Sequence, residues 1–305
     1  MKTSSLFDSF GTLISNDDDS SITDLNSQEI LDLFKLSKLL VFRGFAKDTD
    51  QFQQFTSLFC SDFITYMGGG YQRKTINPEG DKTLLSVNYY FGAQTQKTFP
   101  LPLHGEMYYL RNRPAALWFY CVVPASSQGE TMVCDGSQLY DALSSSTKKL
   151  FQDRRLRYIR YYPNGEWQNR FQSDNLDEVV QFCLDNEMEV VVNSAEQTLK
   201  TEYFHSATIN DLWSDRPVFI NNILPVTSSE EHGITTNIVR LEDGSKIPDE
   251  VIQEIRETSD RLTKLIAWQA TDIALIDNAR VLHGRRAFTD TNREICLRMS
   301  KTINW

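Results

Sequence analysis

From about residue 85 onward the chain is a succession of short segments rich in β-branched and aromatic residues, each bounded by Gly, Pro, Asn or Asp. They are 84–92, 115–123, 130–135, 157–162, 188–193, 217–224, 271–277 and 295–303, and they read as strands. Only two helical stretches interrupt them. In 175–186, Leu176, Val179, Val180 and Cys183 share one side; 248–268 opens with Pro248, Asp249 and Glu250, which suit a helix N-terminus. A parallel α/β sheet would need a helix after nearly every strand, and that alternation is absent. No Gly-rich phosphate loop is present either. The pattern predicts a mainly β protein with flanking helices, an α+β arrangement built on a β-sandwich or jelly-roll barrel.

The N-terminal part differs in texture. Residues 15–21 read as a flexible acidic loop. A helix is expected over 26–38 with Ser27 as its cap, then a buried strand over 39–45 and a helix over 48–60 through Phe52, Phe55 and Phe59. We expect a single domain over 1–305, with 1–25 a partly flexible segment. No apolar run approaches the roughly 18 residues of a membrane span, and the N-terminus lacks a secretory pattern, so a cytoplasmic protein is expected. The net charge of −10 argues against a nucleic-acid partner. The basic stretch 148–160 reads as a solvated face, or else as a dock for an acidic carrier protein or an anionic substrate. The five cysteines are widely spaced with no C-x-x-C pair, which fits reduced, buried thiols.

Chemistry concentrates in "LPLHGEMYY", residues 101–109. In extended backbone His104 and Glu106 project to one face, with Gly105 adding no bulk between them. Imidazole and carboxylate suit a borderline divalent metal, and two His plus one carboxylate is the ligand set of non-haem Fe(II) oxygenases. The chain has four histidines, which leaves His205, His232 and His283 for the third place. The first two sit in loop-like sequence. His283 follows an apolar strand and is the best candidate. A lone H-x-E also fits a hydrogen-bonded His beside a structural Glu.

The segment 104–136, "HGEMYYLRNRPAALWFYCVVPASSQGETMVCDG", followed by 268–288, "WQATDIALIDNARVLHGRRAF", resembles the TauD/TfdA family of Fe(II)- and 2-oxoglutarate-dependent dioxygenases. The H-x-E form is closest to the clavaminate-synthase-like members. The likeness spans about 38–305, including "LVFRGF" and "PVFINNI". It implies a double-stranded β-helix core of jelly-roll, cupin-like form, and His104, Glu106 and His283 as iron ligands. It further implies that Thr131 and an Arg downstream of His283 bind 2-oxoglutarate. Arg298 stands at the matching distance and is preferred; Arg293 competes. An odd number of residues separates the two, so in one regular strand they face opposite sides and only one enters the barrel. A guanidinium fork matches a carboxylate in two hydrogen bonds.

The resemblance implies Fe(II), 2-oxoglutarate and O2 as cofactor and co-substrates, and oxidation of an unactivated C–H. Glu106 fills the position that related halogenases leave open for chloride, so hydroxylation is favoured. The substrate is expected to be small and amino-acid-like or a secondary metabolite, free or on an acyl or peptidyl carrier protein. Residues 68–80, 88–96 and 161–175 are expected to wall the pocket, with Gly68–Gly70 a lid candidate. Arg285 and Arg286 could neutralise an anionic substrate; the alternative is that one of them simply makes a salt bridge on the rim. Asp277 and Asn278 should shape the turn before His283. The rival readings are a non-catalytic jelly-roll ligand-binding protein and a metal-dependent hydrolase.

Overall fold

In the computed structural model, all residues are described except 68–72, 77–78, 88–99, 291 and 305. Two sheets carry the centre of the molecule. One has seven strands, in spatial order Lys2–Ser5, Thr12–Ser15, Leu39–Arg43, Ile273–Asp277, Ala116–Val123, Glu294–Ser300 and Leu85–Ser86. The other has four, in the order Lys264–Ile266, Thr131–Asp135, Val281–Arg285 and Leu101–His104. A second four-stranded sheet, Asn237–Leu241, Leu156–Tyr162, Thr198–His205 and Glu189–Asn193, lies to one side. Pairing in these sheets is antiparallel, except that Thr12–Ser15 runs parallel to Leu39–Arg43.

Alternation along the seven-stranded sheet divides the core in two. Leu39, Val41, Leu117, Phe119, Ala274, Ile276, Leu297 and Met299 face one buried cluster, shared with Leu103, Val133, Val281 and Ile266 of the four-stranded sheet. The intervening Leu40, Phe42, Trp118, Tyr120, Ile273, Leu275 and Cys296 face a second cluster with Phe34, Phe52, Phe55 and Phe59. Those four phenylalanines come from or just after the helices Ser27–Ser37 and Thr49–Ser57, which cover the outer face. A strand covered on both sides is apolar in both phases, and Trp118 meets Phe55 edge-on at 5.8 Å.

Several expected elements differ in detail. The first helix is capped by Asn26, whose side chain accepts from the Gln28 and Glu29 amides, rather than by Ser27. Residues 217–224 do not form one strand: Pro217–Phe219 is extended, and Ile223 opens the helix Ile223–Glu231. The helix expected over 248–268 ends at Leu262, and Lys264–Ile266 is a strand. Helices Gly136–Ala142, Ser145–Asp153 and Glu166–Phe171 were not foreseen, nor was the strand Thr198–His205. Residues 1–25, expected to be partly flexible, contribute the hairpin Lys2–Ser5 and Thr12–Ser15 to the sheet edge. The five cysteines are free and buried, and burial pushes the thiols of Cys121, Cys134, Cys183 and Cys296 up to about 12. The candidate lid at 68–70 and the wall segment 88–96 lie outside the described residues.

Candidate metal centre and its two cavities

His104 ends the strand Leu101–His104, and His283 is central in Val281–Arg285. These strands are antiparallel neighbours in which His104 and His283 are direct cross-strand partners. Directly opposite residues share a face, and the two imidazole centroids are 4.3 Å apart. Glu106 arrives differently from the expectation. The strand stops at His104, and a turn with Met107 at φ 60° returns the carboxylate to that face, its Oε2 3.5 Å from His283 Nε2. One ligand atom from each of the three buried side chains lies within 4.8 Å of the others. His205 ends Thr198–His205, and His232 sits exposed after Ile223–Glu231; neither joins the cluster.

The local sequence explains the turn. A Cβ on Gly105 would stand 2.4 Å from Tyr108 Cδ2 and 2.8 Å from Ile220 Cγ1, so the backbone passes where no side chain fits. The Gly105 amide donates to Asn221 O (3.0 Å), and Asn222 Nδ2 donates to Gly105 O (2.7 Å). Asn278 clamps the next residue from the other side. Its Oδ1 accepts from the Glu106 amide at 2.8 Å, while its Nδ2 donates to Glu106 O at 3.0 Å and Pro114 O at 2.8 Å. Asp277 Oδ1 accepts from the Ala279 amide (2.9 Å) and so shapes the turn before His283, whereas the Asn278 side chain reaches across to Glu106 and Pro114.

The donor set fits a divalent metal. Pro102 O lies 2.9 Å from His104 Nδ1, so Nδ1 carries the proton and Nε2 presents a lone pair. Burial, then the neighbouring His283, lowers the His104 pKa to about 3, keeping the ring neutral as a ligand must be. Burial alone would raise Glu106, but the Arg73 guanidinium and His283 outweigh it and hold the carboxyl well below the usual range. Arg73 Nη2 sits 2.7 Å from Glu106 Oε2, both side chains being buried.

Two cavities open beside the cluster. The smaller is lined by His283, Thr131, Arg285, Arg293 and Phe119 among others. Arg285 is two residues past His283 on the same strand and opposite Thr131 in register. Arg285 and Arg293 flank the Phe288 ring at 4.8 and 4.9 Å. Gly129 holds φ +70°, and a Cβ there would meet Phe288 at 2.9 Å and Arg293 Cδ at 3.2 Å. Trp268 Nε1 donates to Thr131 Oγ1 (3.0 Å).

Arg298, the preferred 2-oxoglutarate anchor, is elsewhere. It shares its phase with Cys296 and so faces the outer cluster, where Nη1 donates to Gln53 O and Thr56 Oγ1 and Nη2 pairs with Asp81 at 3.0 Å. The phase that enters is that of Ile295, Leu297 and Met299; Arg293 stands just before the strand, beside a register irregularity at Glu294 and Ile295, and lines the smaller cavity. Arg286 is half-exposed beside Glu130 on the rim.

The larger cavity, about 220 Å³, is lined by His104 and Glu106 together with Arg73, Arg160, Glu166 and Arg170, and by Pro225, Val226 and Ile234 on an apolar side. Residues 161–175 thus supply part of its wall, as expected, and Arg73 comes from the expected segment 68–80.

The family model for taurine catabolism dioxygenases, TauD/TfdA, matches residues 3–299. The chain belongs to the TauD/TfdA dioxygenase family. It is 27% identical over 288 residues to the dapdiamide synthesis protein DdaC of Enterobacter agglomerans, covering 88% of this chain and 84% of that one. A clavaminate synthase-like protein of Arabidopsis thaliana is 24% identical over 275 residues, covering 84% of this chain and 80% of its own. The solved structure of PvcB from Pseudomonas aeruginosa superposes with a TM-score of 0.62 at 18% identity, covering 98% of this chain and 90% of that one. Another structure of PvcB describes it as an Fe, alpha-ketoglutarate dependent oxygenase from an isonitrile synthetic pathway. As a TauD/TfdA member the chain is an enzyme of the iron- and 2-oxoglutarate-dependent oxygenase class.

Within this TauD/TfdA chain, sequence reasoning missed Arg160, which it counted in the basic stretch 148–160. The signal was present: Arg160 shares its phase with Leu156, Tyr158 and Tyr162, all buried. Of the other charges of that stretch, four face acids, while Lys148 donates to Asp141 O and lies over the Tyr140 ring. Lys149 pairs with Asp153, Arg154 with Asp243, Arg155 with Glu242 and Arg157 with Glu202. Among the described residues no helix is long and apolar enough to cross a membrane.

Proposed function

We propose that His104, Glu106 and His283 hold a ferrous ion, that Thr131 and Arg293 bind 2-oxoglutarate with Arg285 beside them, and that the larger cavity takes a small amino-acid-like or secondary-metabolite substrate for hydroxylation. The observation that carries this reading is the position of the triad between the two cavities: His283 borders the smaller, His104 and Glu106 the larger. The two facing sheets support a double-stranded β-helix, jelly-roll core in a single domain over 1–305. Five free thiols suit a reducing compartment such as the cytoplasm.

Bound in the triad, iron with 2-oxoglutarate and O2 supplies the oxidising power to attack an unactivated C–H, with succinate and CO2 as co-products. The chain's own work is positioning. Pro102 O fixes the His104 tautomer, and Asn222 and Asn278 lock the backbone on either side of Glu106. Arg293 and Arg285 put positive charge against Phe288 where a distal carboxylate would lie, and Thr131 adds a hydroxyl. Glu106 supplies the third protein ligand, which favours hydroxylation over halogenation.

Anaerobic addition of Fe(II) and 2-oxoglutarate should give a weak visible charge-transfer band. His283→Ala should abolish it or weaken iron binding severely, and Glu106→Ala should abolish succinate-coupled hydroxylation. Full turnover by both variants would rule the assignment out.

A further inference from the structure

We infer that the larger cavity recognises a substrate through a carboxylate, gripped by Arg160 and Arg170; this rests on the oxygenase reading above. The two arginines come from separate elements, Arg160 from the strand Leu156–Tyr162 and Arg170 from the helix Glu166–Phe171. Arg160 is buried and oriented. Its guanidinium lies 3.5 Å over the Tyr109 ring, and its Nε donates to Asn237 Oδ1 at 3.2 Å. Stacking and hydrogen bonding, with Tyr162 a further partner, fix the plane of the fork, the arrangement that lowers the entropy lost in gripping a planar anion.

Arg170 is held differently. Nη2 donates to Glu166 Oε1 at 2.8 Å, while the buried Nη1 meets no acceptor among the described residues. A buried donor left without an acceptor keeps its desolvation cost unrepaid, so an acceptor entering the cavity is favoured there. Charge points the same way. The described lining side chains include three guanidiniums, Arg73, Arg160 and Arg170, against two carboxylates, Glu106 and Glu166, an excess of one positive charge. A divalent ion on Glu106 enlarges that excess. In a chain of net charge −10, a buried cationic pocket is a local feature. The apolar wall of Pro225, Val226 and Ile234 gives the rest of such a molecule somewhere to pack. A small acid with an apolar body, such as an amino acid or N-acyl amino acid, matches all three features.

The test uses the full chain loaded anaerobically with Fe(II) and 2-oxoglutarate, so that the 2-oxoglutarate site is filled. It is titrated calorimetrically with free and N-acetyl L-amino acids and with the amide of each. The expected result is at least one acid that binds 10-fold or more tightly than its own amide. Arg160→Gln and Arg170→Gln should each weaken that acid by about 10- to 100-fold, the range for a lost charged hydrogen bond, with the amide nearly unaffected. The charge-transfer band and the melting temperature should be retained. Arg170, nearer the surface, serves where Arg160→Gln fails to fold. Amides binding as well as acids, both variants keeping wild-type affinity, or no acid in the panel binding would each overturn the assignment. Failure of the oxygenase reading is recorded separately, as absence of the band before any panel compound is added.

Discussion

Arg73 and Glu106 form a buried ion pair at 2.7 Å inside the proposed iron site, and a metal ion would compete with Arg73 for the same carboxylate. Without metal, the guanidinium compensates a charge that burial would otherwise penalise. Removing one partner of a buried pair costs about 3–5 kcal/mol, because the other charge is left exposed to a low-dielectric surrounding. A divalent cation restores that compensation by another route. Arg73→Met should therefore melt several degrees below wild type without metal, and saturating Mn(II) should raise its midpoint by more than it raises the wild-type midpoint. Equal metal-induced shifts in thermal denaturation would mean that Arg73 and the ion do not compete for Glu106. The H-x-E pair was legible because its residue types are rare in so apolar a stretch. Arg73 was not, since a lone Arg in the polar segment 68–80 carries no periodic signal and reaches Glu106 only through the tertiary fold.

At the scale of elements, the strand Glu294–Ser300 shows what periodicity can and cannot decide. The sequence placed Arg293 and Arg298 on opposite faces of one regular strand; Arg298 faces the outer cluster, while Arg293 lies just before the strand and lines the smaller cavity. It could not say which face was the interior, because Cys296 and Trp118 are as buried on the outer side as Leu297 and Phe119 on the inner. The helix Thr49–Ser57 makes the outer side dry. Arg298 then works as a staple between sheet and helix: its guanidinium lies 3.6 Å over Phe63 and bonds Gln53 O, Thr56 and Asp81. Arg298→Leu should lower stability by about 2–4 kcal/mol in urea denaturation, through orphaned buried acceptors and the lost ion pair, yet leave 2-oxoglutarate affinity within about threefold. Arg293→Leu should do the reverse for affinity, weakening 2-oxoglutarate by at least tenfold in a titration of the charge-transfer band. Loss of binding in the first variant and not the second would restore Arg298 as the anchor.

Across the whole molecule, Tyr108 joins parts that are distant in sequence. Its hydroxyl donates to Asn278 O (3.0 Å), Arg113 lies 4.4 Å over one side of its ring, and His205, ending a strand of the side sheet, packs 5.8 Å away against both Tyr108 and Tyr203. Burial, then the nearby Arg113, lowers the His205 pKa from 6.5 to about 4. The unfolded chain therefore binds a proton at residue 205 between about pH 6.5 and pH 4 that the folded chain does not. With a depressed folded value, stability is fully present above the unfolded value of 6.5 and is lost as pH falls toward 4. The loss should be about 1–2 kcal/mol at pH 5 relative to pH 8. His205→Phe keeps an aromatic ring between the tyrosines and removes the titration, so its urea stability should fall less between pH 8 and pH 5 than that of wild type, by about that amount. The side sheet carrying His205 also presents Arg160, and the turn carrying Tyr108 also presents Glu106, so acid opening of this contact should loosen the larger cavity before the sheets separate. Hydrogen exchange at pH 5 in the amides of 106–110 should then rise ahead of that in Ile273–Asp277, and simultaneous exchange would mean the contact opens only with global unfolding.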